Sequence, residues 1–284
     1  LSLADIREVL RPSSPEEAVE MAARFGSEGA FLAGGTDLLL FCPPRLRVLI
    51  DLRDAGLSYI REDGGAIRIG GMTAIQELAD SPLLKSHAGG ILAETASRCA
   101  RRPIRNAATI GGSLAGALFY ADLPLPLMVL NAGLRLLGSG EREVPAGDFF
   151  LGARSTVLKG ELLAEVVLPW PEPGSGAFEK LGRTRRDMAL ASAAALVHIE
   201  SGLCRRVRLA VGGAVAFPLR FPSAEARLEG RSPDPEAIGE AAGEVAASLV
   251  PIRDFRAGAD YRREMARVLT ARALSSAVER GRTP

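Results

Sequence analysis

Two glycine pairs constrain this chain more than any other feature: Gly34-Gly35 in LAGGTDLL (residues 32–39) and Gly111-Gly112 in TIGGSLAGA (residues 109–117). The first pair closes a short apolar run, where a strand ends and the backbone turns without a Cβ in its way. Such turns aim several N–H groups into one concavity, which suits phosphate oxygens, and Thr36 and Ser113 add hydroxyl donors. A hydrogen bond to a charged group contributes about 1.5–3 kcal/mol, so two such turns could grip a pyrophosphate from opposite sides without a lysine. Taken singly, a glycine pair at a strand end is more often an ordinary turn. Neither GxGxxG nor GxxxxGK[ST] occurs, so a nucleotide held here needs a fold other than the Rossmann or P-loop designs.

The pattern around the two turns alternates strands and helices. SPEEAVEMAARF (14–25) predicts a helix with Ser14 as N-cap and Pro15 at its first position. Residues 30–33, 47–52 and 66–71 predict strands, 73–79 a helix behind a Thr73 cap, and 90–100 a further helix. Residues 178–181, 193–200 and 207–215 predict three more strands, followed by helices over 235–249 and 260–278. The segment PWPEPGSG (169–176) concentrates proline and glycine and marks the best candidate for a linker. The pattern marks an α+β or α/β architecture.

With 284 residues, 47% of them hydrophobic, the chain can bury a substantial core. Thirty-five basic against 34 acidic residues leave a net charge of +1, which argues against nucleic acid or an anionic membrane as the main partner. Cys42, Cys99 and Cys204 are odd in number and far apart, a pattern of neither a metal site nor a disulfide scaffold, and they fit a reducing, cytoplasmic setting. Three scattered thiols do not supply the four of an iron–sulfur cluster, so any cluster is expected on another chain. No signal peptide or membrane-spanning run is read in the sequence, and no membrane insertion is expected.

Asp122, before Leu123-Pro124, reads equally as an acceptor for ribose hydroxyls or as a turn cap. His87 and His198 read as structural or surface histidines. Arg101, Arg102 and Arg105 read as a solvated or partner-facing patch close enough to the second turn to help with phosphates. Arg183, Arg185 and Arg186 read as a solvated face that could also meet an acidic partner. Nothing suggests a covalent nucleophile or a metal site, and no catalytic residue or metal ligand is assigned.

LAGGTDLL, IGGMTAIQEL, IRNAATIGGSLAGA with ADLP after it, and FEKLGRTRRDMALASAAALV together resemble the FAD-binding (medium) subunit of the molybdenum hydroxylase family. This is the flavoprotein subunit of xanthine dehydrogenase and carbon monoxide dehydrogenase. VGGAVAFPLR and DFRAGADYRREMARVLTARAL extend the resemblance over nearly the whole chain. It implies a PCMH-type FAD-binding domain over 1–172, built of two α+β subdomains of about 1–57 and 58–172, and a carbon monoxide dehydrogenase flavoprotein C-terminal-type domain over 173–284.

The resemblance also implies a non-covalent FAD site. Phe31, Leu32, Ala33, Gly34, Gly35, Thr36, Asp37 and Leu38 match the first pyrophosphate loop, and Thr109, Ile110, Gly111, Gly112 and Ser113 the second. Asp122 matches the residue that holds the adenosine ribose, Leu163 an apolar residue packed near the flavin, and Lys180 a basic residue near its ring. A cation there would favour reduced, anionic flavin. Two departures stand out: Ser113 occupies the place of the family's usual Asn, and Cys99 a place where relatives put an aromatic. The implied activity is that of an oxidoreductase subunit relaying electrons from [2Fe-2S] clusters of a small subunit, fed by a molybdopterin large subunit, to NAD, quinone or oxygen. The implied assembly is a dimer of heterotrimers. Two other readings stay open: a flavin-free scaffold of such a complex, and a stand-alone PCMH-type flavin oxidoreductase.

Overall fold

The computed structural model describes residues 5–184 and 186–282; Arg185 lies outside them. Three sheets, each with its own helices, follow one another along the chain.

The first is parallel, with β1 (Glu8–Leu10), β2 (Gly29–Leu32) and β3 (Val48–Asp51) in the order β1-β3-β2. Parallel neighbours need crossover connections. The first crossover carries α1 (Pro15–Phe25), which begins where the pattern predicts, the Ser14 hydroxyl accepting from the Glu17 N–H at 3.1 Å. The second crossover starts with the glycine loop at the C-terminal end of β2, the end of a parallel strand where ligands usually bind.

The second sheet is antiparallel, with β4 (Ile60–Asp63), β5 (Ala66–Gly70), β6 (Gly133–Leu137), β7 (Glu141–Pro145) and β10 (Leu162–Pro169) in the order β4-β5-β10-β6-β7. A small hairpin, β8 (Phe150–Gly152) and β9 (Ser155–Thr156), precedes β10. Six short helices fill the long connection from β5 to β6: α2 (Ile75–Asp80), α3 (Pro82–Ser86), α4 (Ile91–Arg98), α5 (Arg102–Ala107), α6 (Ile110–Ala115) and α7 (Pro124–Val129). They bury Leu78, Ile91, Ile110 and Leu125 against Ile67, Ile69, Leu134 and Val166 of the sheet. The expected Thr73 cap is not made. The Thr73 hydroxyl instead bridges the backbone of Tyr59, accepting from its N–H and donating to its carbonyl. The start of α2 is held by the Glu77 carboxylate, which accepts from the Ala74 N–H at 2.7 Å.

The third sheet orders β11 (Ser175–Leu181), β12 (Ala191–Glu200), β13 (Leu203–Gly212) and β14 (Leu219–Arg220) in sequence, covered by α8 (Pro222–Leu228), α9 (Pro235–Ser248) and α10 (Ala259–Arg282). Strand β12 is apolar without alternation because both its faces are covered. Ala193, Ala195 and Val197 pack with Ala266, Ala273 and Ala277 of α10, whereas Ala194 and Leu196 join the core of the middle sheet. PWPEPGSG is no loose tether either: the Glu172 carboxylate is buried and accepts from Arg206 and Arg208 at 3.1 and 3.2 Å.

Candidate cofactor-binding site

The first glycine loop leaves β2 at Leu32 and turns at Gly35, whose φ of +68° is the left-handed region that glycine adopts without strain. Gly34 is required for a different reason. A Cβ there would lie 1.8 Å from the Ala107 carbonyl oxygen, so only glycine lets this loop press against the backbone leading into the second one. From Gly34 through Leu38 no backbone N–H has an acceptor among the described residues. These half-buried donors need a partner from outside the chain. Asp37 is tied at the far end of the loop, its carboxylate 3.4 Å from Arg154.

The second loop is not an open turn but the start of α6. Thr109 is its N-cap, accepting from the Gly112 N–H at 3.1 Å. The N–H groups of Ile110, Gly111 and Ser113 donate to the carbonyls of Thr73, Gly71 and Thr109. The free donors therefore belong to the first loop, and the second offers a smooth wall. Gly112 is exposed and faces Ala33 across the gap, a Cβ built on it lying 3.7 Å from that of Ala33.

The two loops border a cavity of about 930 Å³, within the range of small-molecule sites. Among the residues named from the sequence, Phe31, Ala33, Gly111, Gly112 and Leu163 line it. Its other walls come from α1 and from the segment 156–163. Arg45 and Lys159 also line it, and neither has an ion-pair partner among the described residues. Sequence reasoning passed over both, because neither stands in a motif.

Asp122 and Lys180 do not line this cavity. They meet each other instead, Lys180 Nζ standing 2.5 Å from Asp122 Oδ2 with 4% and 6% of the side chains exposed. Burial pushes the Asp122 carboxyl up against the opposing pull of Lys180, and Asp122 Oδ1 has no partner. Beside them Cys99 is buried, its thiol donating to the Thr95 carbonyl and pushed well up by burial and by the Asp122 charge. Arg105, read from the sequence as part of a solvated patch, is buried, because it donates to Gln76 and to the carbonyls of Cys99 and Ala100. His87 is buried as well, with its ring on Trp170.

Residues 4–171 match the family described as the FAD-binding domain in molybdopterin dehydrogenase, and residues 176–277 the carbon monoxide dehydrogenase flavoprotein C-terminal domain. The chain belongs to the FAD-binding subunits of the molybdenum hydroxylase family. It is 35% identical to the carbon monoxide dehydrogenase medium chain of Hydrogenophaga pseudoflava, over 94% of this chain and 95% of that one. It is 34% identical to subunit alpha of the 6-hydroxypseudooxynicotine dehydrogenase complex of Paenarthrobacter nicotinovorans, over 95% of this chain and 93% of that one. A solved carbon monoxide dehydrogenase from Hydrogenophaga pseudoflava superposes with a TM-score of 0.92 at 35% identity, covering 97% of this chain and 98% of that chain.

The molybdenum hydroxylase FAD subunit is an oxidoreductase subunit, and FAD is its cofactor. The residues fit that group: the cavity of about 930 Å³ has a wall where a Cβ on Gly112 would intrude, and the unpaired N–H groups of Gly34 to Leu38, which do not themselves line it, continue the loop from its lining residue Ala33. Among the described residues there is no cluster of three or more His, Cys, Asp or Glu that could hold a metal, and no helix long and apolar enough to cross a membrane.

Proposed function

We propose that this chain is the electron relay of a cytoplasmic, three-component molybdenum hydroxylase. It receives electrons from the [2Fe-2S] clusters of a small subunit, which a molybdopterin large subunit reduces, and delivers them to NAD, quinone or oxygen. Bound FAD supplies the chemistry, exchanging electrons singly with the clusters and in pairs with the acceptor. The chain divides into an FAD-binding domain over 1–172 and a C-terminal domain over 173–284, and the complex assembles as a dimer of heterotrimers.

The chain's own residues bind and orient. The N–H groups of Gly34 to Leu38, with the Thr36 hydroxyl, hold one side of the pyrophosphate, and Gly111, Gly112 and Ser113 close the other. Phe31 and Leu163 supply apolar contact. Asp122 and Lys180, buried against each other and off the cavity wall, join β11 to the segment before α7 rather than contacting the cofactor directly. The observation that carries this reading is the run of partnerless N–H groups that continues from Ala33, which faces Gly112, in a family of FAD-binding subunits.

The test is the visible absorption spectrum of the purified chain before and after FAD addition, with a titration and dithionite bleaching. Bands that bleach and saturate near one FAD per chain support the relay. A folded chain that takes up no FAD, with or without partner subunits, sinks it and favours a flavin-free scaffold. Turnover of a substrate by the chain alone would favour a self-contained flavoenzyme.

A further inference from the structure

The first glycine loop carries two features that oppose each other. Its N–H groups from Gly34 to Leu38 have no acceptor among the described residues and suit an anion, yet Asp37 sets a carboxylate in the same run. An unpaired negative charge beside a pyrophosphate weakens its binding. Arg154, in the turn between β8 and β9, is the one ion-pair partner of Asp37 among the described residues, with Nη1 3.4 Å from Oδ2.

The same guanidinium lies over the Phe41 ring, 5.0 Å from its centroid. Between these two contacts the chain makes a compact turn, the Leu40 and Phe41 N–H groups both donating to the Asp37 carbonyl at 3.0 Å. Arg154 therefore grips the turn 37–41 at both ends. Its backbone reaches the second loop: the Arg154 N–H donates at 3.1 Å to the carbonyl of Ala117, two residues beyond α6, the helix that the second glycine pair opens. Asp37 Oδ2 lies against the same place, since a Cβ on Gly116 would stand 3.5 Å from it. Ala117 and Arg154 have φ of +45° and +52°, values that residues with a Cβ hold only where the surroundings fix them. One residue thus joins the segment after the first loop to the end of the helix that starts at the second.

Exposure separates two roles for this clasp. The Arg154 and Asp37 side chains are 51% and 30% exposed, and the Phe41 residue 53%. Ion pairs so open to water contribute little to stability, so the clasp is a poor strut for the fold. Its effect on an anion in the first loop is of another kind, because it cancels a like charge carried by that loop. Arg154 does not line the cavity, so it acts through Asp37 and Phe41.

We infer that Arg154 is a positioning residue for the pyrophosphate of FAD: by pairing with Asp37 and stacking on Phe41 it neutralises the first loop's own carboxylate and holds residues 37–41 against the end of α6. The inference rests on the assignment of the first loop to the pyrophosphate and deepens it by naming the side chain that prepares the loop for a doubly charged group.

The test is FAD titration of the full-length, FAD-free chain as wild type, Arg154→Gln, Arg154→Lys and the double variant Arg154→Gln, Asp37→Asn. Arg231→Gln is the control, since Arg231 and Glu240 form an ion pair of similar exposure in the C-terminal third. Melting temperature without FAD is measured on each. Arg154→Gln should raise the Kd for FAD about tenfold with little change in melting temperature. Arg154→Lys keeps the charge and should recover part of the loss, and Asp37→Asn in the Gln background should recover more. Raising the ionic strength from about 0.05 M to roughly 0.5 M should narrow the gap between wild type and Arg154→Gln, because the uncovered Asp37 charge is screened. An Arg154→Gln chain that binds FAD as tightly as wild type overturns the inference and leaves FAD binding itself intact. A loss that neither Asp37→Asn relieves nor salt narrows makes Arg154 a structural residue and also overturns it. A wild-type chain that takes up no FAD removes the assignment of the first loop and this inference with it.

Discussion

Lys180 of β11 and Asp122, just before α7, form a buried ion pair of 2.5 Å that ties the third sheet to the helical layer of the second. Removing one partner of a buried pair leaves an uncompensated charge, at a cost of about 3–5 kcal/mol. Lys180→Met should destabilise the fold by that order, and adding Asp122→Asn should recover much of the loss. The pH dependence has a definite sign. Without Lys180 the Asp122 carboxyl is raised further above its unfolded value, so the protonated form is favoured in the fold. The penalty is then smallest near pH 4 or below, about where an unfolded carboxyl titrates, and grows as pH rises towards 7. Urea unfolding of the single and double variants at both ends of that window checks this; a pH-independent loss would refute it.

Gly112 separates binding from folding. A side chain there meets Thr109 Oγ1 at 3.1 Å and Ala33 at 3.7 Å, and otherwise projects into the cavity. Gly112→Val should weaken FAD binding by about tenfold or more, roughly 1.4 kcal/mol, with a smaller effect on the stability of the FAD-free chain. Gly140→Ala is the matched control, since nothing lies within 4 Å of a Cβ at that position. Gly174 in the proline-rich segment is no substitute: its φ is +108° and its Cβ would meet the Val197 carbonyl oxygen at 2.8 Å. Equal losses of FAD affinity in Gly112→Val and Gly140→Ala would refute the loop assignment.

What could be read from the sequence follows the range of the interaction. α1 was legible because its cap, its proline and its acidic first turn all lie within Ser14–Glu17. The two glycine loops were legible as well, because a backbone that must come close leaves glycine behind. Their division of labour was not: the second loop's donors are taken by the carbonyls of Thr73 and Gly71, and a backbone carbonyl carries no sequence signature. The Asp122–Lys180 pair joins positions 58 residues apart, so each was read alone and given a separate partner. Arg105 looked like its exposed neighbours Arg101 and Arg102, and only the fold turns it inward, onto Gln76 and two carbonyls.

His87 should make the fold weaken in mild acid. Nε2 lies 2.8 Å from the Pro169 carbonyl, which can only accept, so Nε2 carries the proton and Nδ1 is bare. Nδ1 has no partner, and burial holds the imidazole below its ordinary value of 6.5. Above pH 6.5 both folded and unfolded histidine are neutral and the residue is indifferent to pH. Below it the unfolded chain takes up the proton first, so stability falls as pH drops from about 6.5 towards 5. His87→Gln keeps a donor for Pro169 and should flatten that slope in melting temperature; an unchanged slope would assign it to other groups.

Arg262 of α10 is fully buried, and it donates to the Leu190 and Gly213 carbonyls at 2.6 Å each and to Asp254 at 2.7 Å. It gathers the start of β12, the turn after β13 and the loop before α10. Asp254 is held far below the usual carboxylate range: burial opposes this, and hydrogen bonds from Arg256 and Arg262 outweigh it. Arg262→Leu should cost about 3–5 kcal/mol, because it orphans two carbonyls and removes one of Asp254's two cations. Arg262→Lys should rescue little, since a single ammonium cannot reproduce the planar fork that serves both carbonyls and the carboxylate. The Gly213 N–H in turn donates to the Phe119 carbonyl, three residues before Asp122, which links this cluster to the segment that carries the Asp122–Lys180 pair. Arg262→Leu is therefore expected to lower the melting temperature markedly, whereas Arg267→Leu, on an exposed face of the same helix, should not change it by a comparable amount.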